Sequence, residues 1–251
     1  MINQSIFREY DIRGIAGKDL TPDLAFRIGR AYALLAKGRL GKTSAKIAIG
    51  RDCRLSGLEL SRALAAGLVG SGLEVVDLGM VTTPMTYFSL FQAGFDGSIM
   101  VTGSHNPPNY NGFKICVGKG TLYGKDIQEL KGLILSDTSP SQPLGRTLDS
   151  MDIASQYEKY LLAHVRLARP MKVVVDAGNG AAGPFAPAIY RKMGCEVIEL
   201  FCEPDGSFPN HEADPTVEKN LQDLIAAVKK HGADAGIAFD GDADRIGVVD
   251  E

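Results

Sequence analysis

The chain switches between two hydrophobic periods along most of its length. Residues 21–38, TPDLAFRIGRAYALLAKG, place apolar side chains at helical spacing, with Thr21 as expected N-cap, Pro22 at the first helical position and Gly38 at the end. KIAIG (46–50), EVVDLG (74–79) and GSIMVT (97–102) read as strands, and the helical stretch LELSRALAAGLVGSG separates the first two. GFKICVG (112–118) alternates as a strand does, and KDIQELKGLIL (125–135) returns to the helical period. The pattern then lapses in SDTSPSQPLGRTLDS (136–150), whose Ser, Thr, Pro and Asp content predicts a linker.

Alternation resumes beyond it. DIASQYEKYLLAHVRLA predicts a helix, KVVVDAG (172–178) a buried strand, GPFAPAIYRKMG a helix, EVIELF a strand and TVEKNLQDLIAAVKKHG a helix. AGIAFD and RIGVVD close the chain as strands. A weak internal repeat is visible: KIAIG, helix, GLEVVDLG matches KVVVDAG, helix, GCEVIELF. The expected fold is two three-layer α/β/α domains with mostly parallel, mixed sheets, over 1–146 and 147–251, meeting at a cleft.

Composition narrows the function. At 251 residues with 45% apolar and 23% charged residues, the chain has the balance of a soluble globular protein. A formal net charge of −3 offers no general attraction to nucleic acid or to an anionic membrane. No apolar run reaches the roughly 18 residues of a membrane span, and MINQSIFREYDIRG lacks the apolar core of a signal peptide. Cys53, Cys116, Cys195 and Cys202 have no CxxC spacing and read as reduced structural thiols. The expected location is the cytoplasm, with neither nucleic acid nor membrane as partner.

The strongest chemical signal is DGDADR (240–245). Asp240, Asp242 and Asp244 recur at every second position, so an extended segment would project all three carboxylates to one side. Such a cluster suits a divalent cation with hard oxygen ligands, such as magnesium, manganese or calcium. A solvated acidic turn is the plain alternative, although the run lies between two apolar strands. An EF-hand matches at Asp240, Asp242, Asp244 and Glu251 but has Arg245 where the loop needs glycine. An aspartyl nucleophile of the DxDx[TV] kind fails at Asp244. Arg245 beside the acids suits a phosphoryl group, or else pairs with Asp244.

VTGSHNPPNYNGFK (101–114) is the second signal. Pro107 and Pro108 stiffen the loop, Asn106, Asn109 and Asn111 can brace it, and Gly103 permits close approach of a ligand to the backbone. Ser104 is then a candidate nucleophile, with Lys114 supplying positive charge. A Ser104–His105 hydrolase pair is disfavoured, because adjacent side chains rarely face each other and GSHNP is no GxSxG elbow. His164, His211 and His231 lack ligand spacing and read as surface or structural residues, with His211, in the polar loop FPNHEADPT, the one that could instead line a cleft. EYDIRG brings Arg13 forward on a turn, GRDCRLSG (50–57) follows a strand, and DAGNGAAG (176–183) is either a packing turn or a phosphate cradle.

In this order, EYDIRG, GRDCRLSG, TGSHNPPNYNGFK, DAGNGAAG and DGDADR resemble the α-D-phosphohexomutase family over essentially the whole chain, nearest its bacterial phosphomannomutase/phosphoglucomutase branch. TGSHNPP departs from the SASHNP typical of phosphoglucosamine mutases. The resemblance implies that Ser104 carries a phosphoryl group and that Asp240, Asp242 and Asp244 hold Mg2+ together with a phosphoserine oxygen. It further implies that Arg13 and Lys114 act near the sugar hydroxyl, and that His105, Asn106 and Arg245 serve the serine and metal loops. Implied substrates are glucose or mannose 1- and 6-phosphates and the 1,6-bisphosphate. Members of the family have four domains, so the chain is expected to be an N-terminal half of low turnover. A non-catalytic phosphosugar-binding fragment, a phosphoglucosamine mutase or a metal-dependent sugar phosphatase are the alternatives.

Overall fold

The computed structural model describes residues 2–136 and 149–250; the core of the expected linker, and with it the expected boundary at 146/147, lies outside the described residues. In chain order the elements are β1 (Ile12–Ile15), α1 (Pro22–Leu40), β2 (Lys46–Arg51), α2 (Gly57–Gly70), β3 (Glu74–Met80) and α3 (Thr83–Gln92). They continue as β4 (Gly97–Val101), β5 (Tyr110–Val117), β6 (Gly120–Thr121), α4 (Lys125–Ser136), β7 (Asp149–Ser150) and α5 (Ile153–His164). The last are β8 (Lys172–Asp176), α6 (Ala186–Lys192), β9 (Glu196–Leu200), α7 (Gln222–His231), β10 (Ala235–Phe239) and β11 (Ile246–Val249).

Two mixed sheets result. The first runs β1-β5-β4-β2-β3-β7 with β6 beside β5, and the second runs β11-β10-β8-β9. Strands β4, β2 and β3 are mutually parallel and β5 antiparallel to β4; β10, β8 and β9 are parallel and β11 antiparallel to β10. The sequence repeat therefore corresponds to a repeated topology: β5-β4-β2-β3 in one sheet, β11-β10-β8-β9 in the other.

Both faces of each sheet are covered, which is why the central strands read as unbroken apolar runs. Ile47 and Ile49 of β2 enter a core with Leu24 and Ile28 of α1, Leu64 and Leu68 of α2 and Ile127 and Leu130 of α4. Ala48 faces the opposite core, with Met85 and Leu90 of α3 and Ile153 of α5. In the second sheet Val173 and Val175 face the α6 side, and Val174 meets Leu224 and Val228 of α7. Each such aliphatic side chain contributes about 1.5–3 kcal/mol on burial. Strand β7 and Ile153, on the second side of the expected boundary, attach to the first sheet.

Several boundaries differ from expectation. Gly38 lies within α1, which runs to Leu40 and is capped by Gly41 at φ 64°. The expected helix from Thr216 begins as a 3-10 turn, Glu218–Leu221, before α7. Arg13 sits in strand β1, paired with Gly112, rather than on a turn. Helix α5 stops at His164, where Val165 is already extended.

Candidate active site

The repeated topology places corresponding loops at the carboxyl ends of parallel strands, where open α/β sheets bind ligands. The serine loop follows β4 and the acidic turn follows β10. They meet directly: the Ser104 hydroxyl donates to Asp240 Oδ2 at 2.8 Å.

Ser104 is 1% exposed, with its backbone in the left-handed region at φ 50°. Its N–H donates to Thr102 Oγ1 at 2.7 Å. The hydroxyl also lies 3.2 Å from His105 Nδ1, contrary to the expectation that these neighbours would not face each other. A hydrolytic triad is still incomplete, because among the described residues no carboxylate orients the other ring nitrogen of His105. Burial, then the Arg245 and Arg13 cations, lower the His105 pKa and favour its neutral form.

The three acids converge by a different route from the one expected. Residues 240–245 form a turn, not an extended segment: Asp240 Oδ1 accepts from the N–H groups of Asp244 and Arg245 at 3.0 and 3.1 Å, and Ala243 adopts φ 60°. One carboxylate oxygen from each of Asp240, Asp242 and Asp244 then lies within 4.8 Å of the others. Asp242 is held at the start of α3, where Thr83 donates to it through its N–H (2.9 Å, to the carbonyl) and its hydroxyl (2.5 Å, to Oδ2).

Lys114 on β5 completes the charge balance, reaching Asp242 Oδ2 and Asp244 Oδ2 at 2.6 Å each. Burial opposes its ammonium form, but these two carboxylates outweigh burial and raise its pKa above the ordinary value. Burial likewise works against the Asp242 carboxylate, yet Lys114 and Thr83 hold its pKa below the usual range. Asp240 goes the other way: burial, then the charges of Asp242 and Asp244, push its carboxyl up.

The donor set fits a hard divalent cation. Beyond the converging carboxylates, Asp242 Oδ1 is buried with no hydrogen-bond partner among the described residues, a costly arrangement for an acceptor with no ligand to serve.

Above the buried serine and acids lies a cleft of about 460 Å³. Arg13, His105, Asn106, Lys114, Asp244 and Arg245 line it, as do Arg8, Tyr10 and Tyr87. Arg13 Nη1 donates to Asn106 Oδ1 at 2.6 Å, and its other arm pairs with Asp11. The alternative Arg245–Asp244 ion pair is not formed among the described residues. The structure thus assembles all nine candidate residues: Ser104, Asp240 and Asp242 below, six others on the walls.

Two motifs read differently in three dimensions. DAGNGAAG is a packing turn: the N–H groups of Gly178, Asn179, Gly180 and Ala181 are committed to Asp176, Phe201, Ala177 and Gly241. GRDCRLSG supplies Asp52 and Arg54, both buried under the serine loop, which sequence reasoning left without a role.

Known proteins share this fold. Residues 4–140 match the family described as phosphoglucomutase/phosphomannomutase, alpha/beta/alpha domain I, and residues 155–251 match its domain II. The chain belongs to the phosphoglucomutase/phosphomannomutase family. It is 50% identical over 248 residues to a phosphoglucomutase of Neisseria gonorrhoeae, covering 99% of this chain and 53% of that protein. It is 49% identical over 245 residues to a phosphomannomutase/phosphoglucomutase of Pseudomonas aeruginosa, covering 98% and 52%. The crystal structure of a family protein from Burkholderia thailandensis superposes with a TM-score of 0.91 at 46% identity, over 100% of this chain and 55% of that one. The chain spans about half the length of these relatives.

Proposed function

We propose that the chain forms the phosphoserine- and metal-bearing part of a phosphohexomutase, which interconverts glucose or mannose 1-phosphate and the corresponding 6-phosphate through a 1,6-bisphosphate. The carrying observation is the hydrogen bond from the Ser104 hydroxyl to Asp240, one member of a three-carboxylate cluster that also contains a buried oxygen with no hydrogen-bond partner among the described residues. Residues 1–146 and 147–251 would serve broadly as its first two domains, with β7 and Ile153 joining the first sheet; the family matches, which end at 140 and resume at 155, support a boundary in that interval. The sugar-phosphate substrates are hydrophilic metabolites, for which the expected location is the cytoplasm; among the described residues no helix is long and apolar enough to cross a membrane.

In the first half-reaction the Ser104 Oγ–P bond breaks and a P–O bond forms to a free hydroxyl of the hexose monophosphate, whose proton passes to a base. The second half-reaction reverses these changes at the other phosphoryl group and restores phosphoserine. Asp240, Asp242 and Asp244, with a phosphoserine oxygen, would hold Mg2+, which would withdraw charge from the transferring phosphoryl. Arg13, Arg245, His105 and Asn106 border the cleft and orient the anionic group. Lys114 is kept protonated by its two carboxylate partners, so its part in proton transfer is that of a donor while those carboxylates remain charged.

The test is a coupled assay of the complete enzyme with Mg2+, glucose 1-phosphate or mannose 1-phosphate, and a catalytic amount of the 1,6-bisphosphate. Isomerisation in excess of phosphate release is expected. Net phosphate release in excess of isomerisation would replace the mutase with a phosphatase.

A further inference from the structure

Arg54 lies directly beneath the serine loop and is 3% exposed, with no exposure of its side chain. A guanidinium has five N–H donors, and here every one is taken. Nε donates to Asp52 Oδ2 at 3.1 Å. Nη1 donates to the carbonyls of Pro107 (2.6 Å) and Tyr110 (2.9 Å), and Nη2 to those of Ser104 (2.8 Å) and Asn106 (2.6 Å). Four carbonyls of the loop thus converge on one planar cation.

Asp52 fixes the other side. Its carboxylate accepts from the Arg54 N–H and from Thr102 Oγ1 and the Gly103 N–H, at 3.0, 2.7 and 3.2 Å. Gly103, read from sequence as room for a ligand, instead makes room for this guanidinium: a Cβ there would stand 2.5 Å from Arg54 Cζ. The second sheet's side seals the arrangement, with the Phe208 ring 5.0 Å from Arg54 Cζ. The Ser104 carbonyl that Arg54 holds is also the atom against which Gly241 of the acidic turn packs, since a Cβ on Gly241 would lie 2.4 Å from it.

We propose that Arg54 is a positioning residue for phosphoryl transfer: it sets the left-handed turn at Ser104 and so the register of Ser104 against Asp240. The proposal rests on the phosphoserine reading for its chemical consequence, though not for the brace itself. With no donor left over, Arg54 does not bind substrate phosphate. Lysine cannot take its place, because three donors on a point charge cannot serve four carbonyls and a carboxylate. An error of about 1 Å in a reacting group costs on the order of 100-fold in rate.

Arg54→Lys and Gly103→Ala approach the brace from its two sides. Wild type and both variants are compared by hydrogen–deuterium exchange of residues 103–111, with β8–β10 as internal reference, by Mn2+ binding, and by the rate of Ser104 phosphorylation from glucose 1,6-bisphosphate. Faster exchange confined to the serine loop, by about 10-fold or more, is expected in both, with Mn2+ still bound and phosphorylation slowed on the order of 100-fold. Wild-type loop protection and wild-type phosphorylation in either folded variant would overturn the proposal. Should Arg54→Lys fail to fold, Gly103→Ala decides alone. A wild type that takes up no phosphate at Ser104 would remove the phosphoserine reading, while loop exchange would still decide whether Arg54 is the brace.

Discussion

Lys114→Met removes the cation that compensates the acidic turn while keeping most of the side chain's length. Asp242 has no side-chain exposure and Lys114 has 12%, so their 2.6 Å contact is a buried ion pair about to lose one partner. Stripping one partner from such a pair costs about 3–5 kcal/mol. The Asp244 contact adds little, roughly 0.2–1 kcal/mol, because that carboxylate is 28% exposed. Uptake of a proton by the stranded acids limits the loss, so the lower figure applies: about 3 kcal/mol, or about 6–12 °C in melting temperature for a chain of this size. The pH dependence follows. Lys114 depresses the Asp242 pKa, so the pair's stabilisation is present above the ordinary carboxylate value of 3.8 and fades as pH falls through the depressed one. The variant should therefore differ from wild type at pH 7 and converge with it in acid. Added Mg2+, which competes with Lys114 for the same oxygens, should raise the melting temperature of the variant more than that of wild type. Thermal unfolding with EDTA and with Mg2+ reads both effects. A metal-free variant within 2 °C of wild type, or one that Mg2+ stabilises less, would refute the reasoning.

Three further outcomes are expected. Gly241→Ala forces a Cβ to 2.4 Å from the Ser104 carbonyl oxygen and should destabilise by about 1–3 kcal/mol in thermal or urea unfolding, whereas a gain in stability would contradict the close approach of the two loops. Gly38→Ala, in the last turn of α1 with open space around its Cβ, should stabilise by at most roughly 0.5–1 kcal/mol in the same measurement. His211 faces acceptors at both ring nitrogens, the Asp176 carboxylate and the Glu212 carbonyl, and its Asp176 partner raises its pKa above 6.5. Its contribution is complete below pH 6.5 and is lost as pH rises through the raised value. The stability difference between wild type and His211→Asn should accordingly shrink from pH 6 to pH 9.

What could be read from the chain and what could not divides along sequence separation. Helix α1 was legible because Thr21, Pro22 and the apolar spacing act locally. Its end was set too early because Gly38 and Gly41 both resemble a stop, and only Gly41 takes the left-handed conformation. The paired strand-helix-strand units appeared as a sequence repeat because a doubly covered sheet demands apolar strands of similar length. The residue types of the site were legible for the same reason: clustered carboxylates need a cation, and a proline-stiffened serine loop is unusual. Their geometry was not. The acids meet through a turn closed by Asp240 accepting backbone N–H groups, and Ser104 faces His105 because its backbone is left-handed. Arg54 escaped notice altogether, since its partners lie some 50 residues further along the chain and nothing in GRDCRLSG marks them.

The proposed phosphoryl transfer turns on Ser104 as the carrier. Its most direct measurement is intact mass with peptide mapping of wild type and Ser104→Ala after exposure to glucose 1,6-bisphosphate and Mg2+. One added phosphoryl group on the peptide containing Ser104, absent from Ser104→Ala and reduced when Asp240 is replaced by Asn, is the predicted result. A wild type without phosphate, or phosphate retained in Ser104→Ala, would contradict the account.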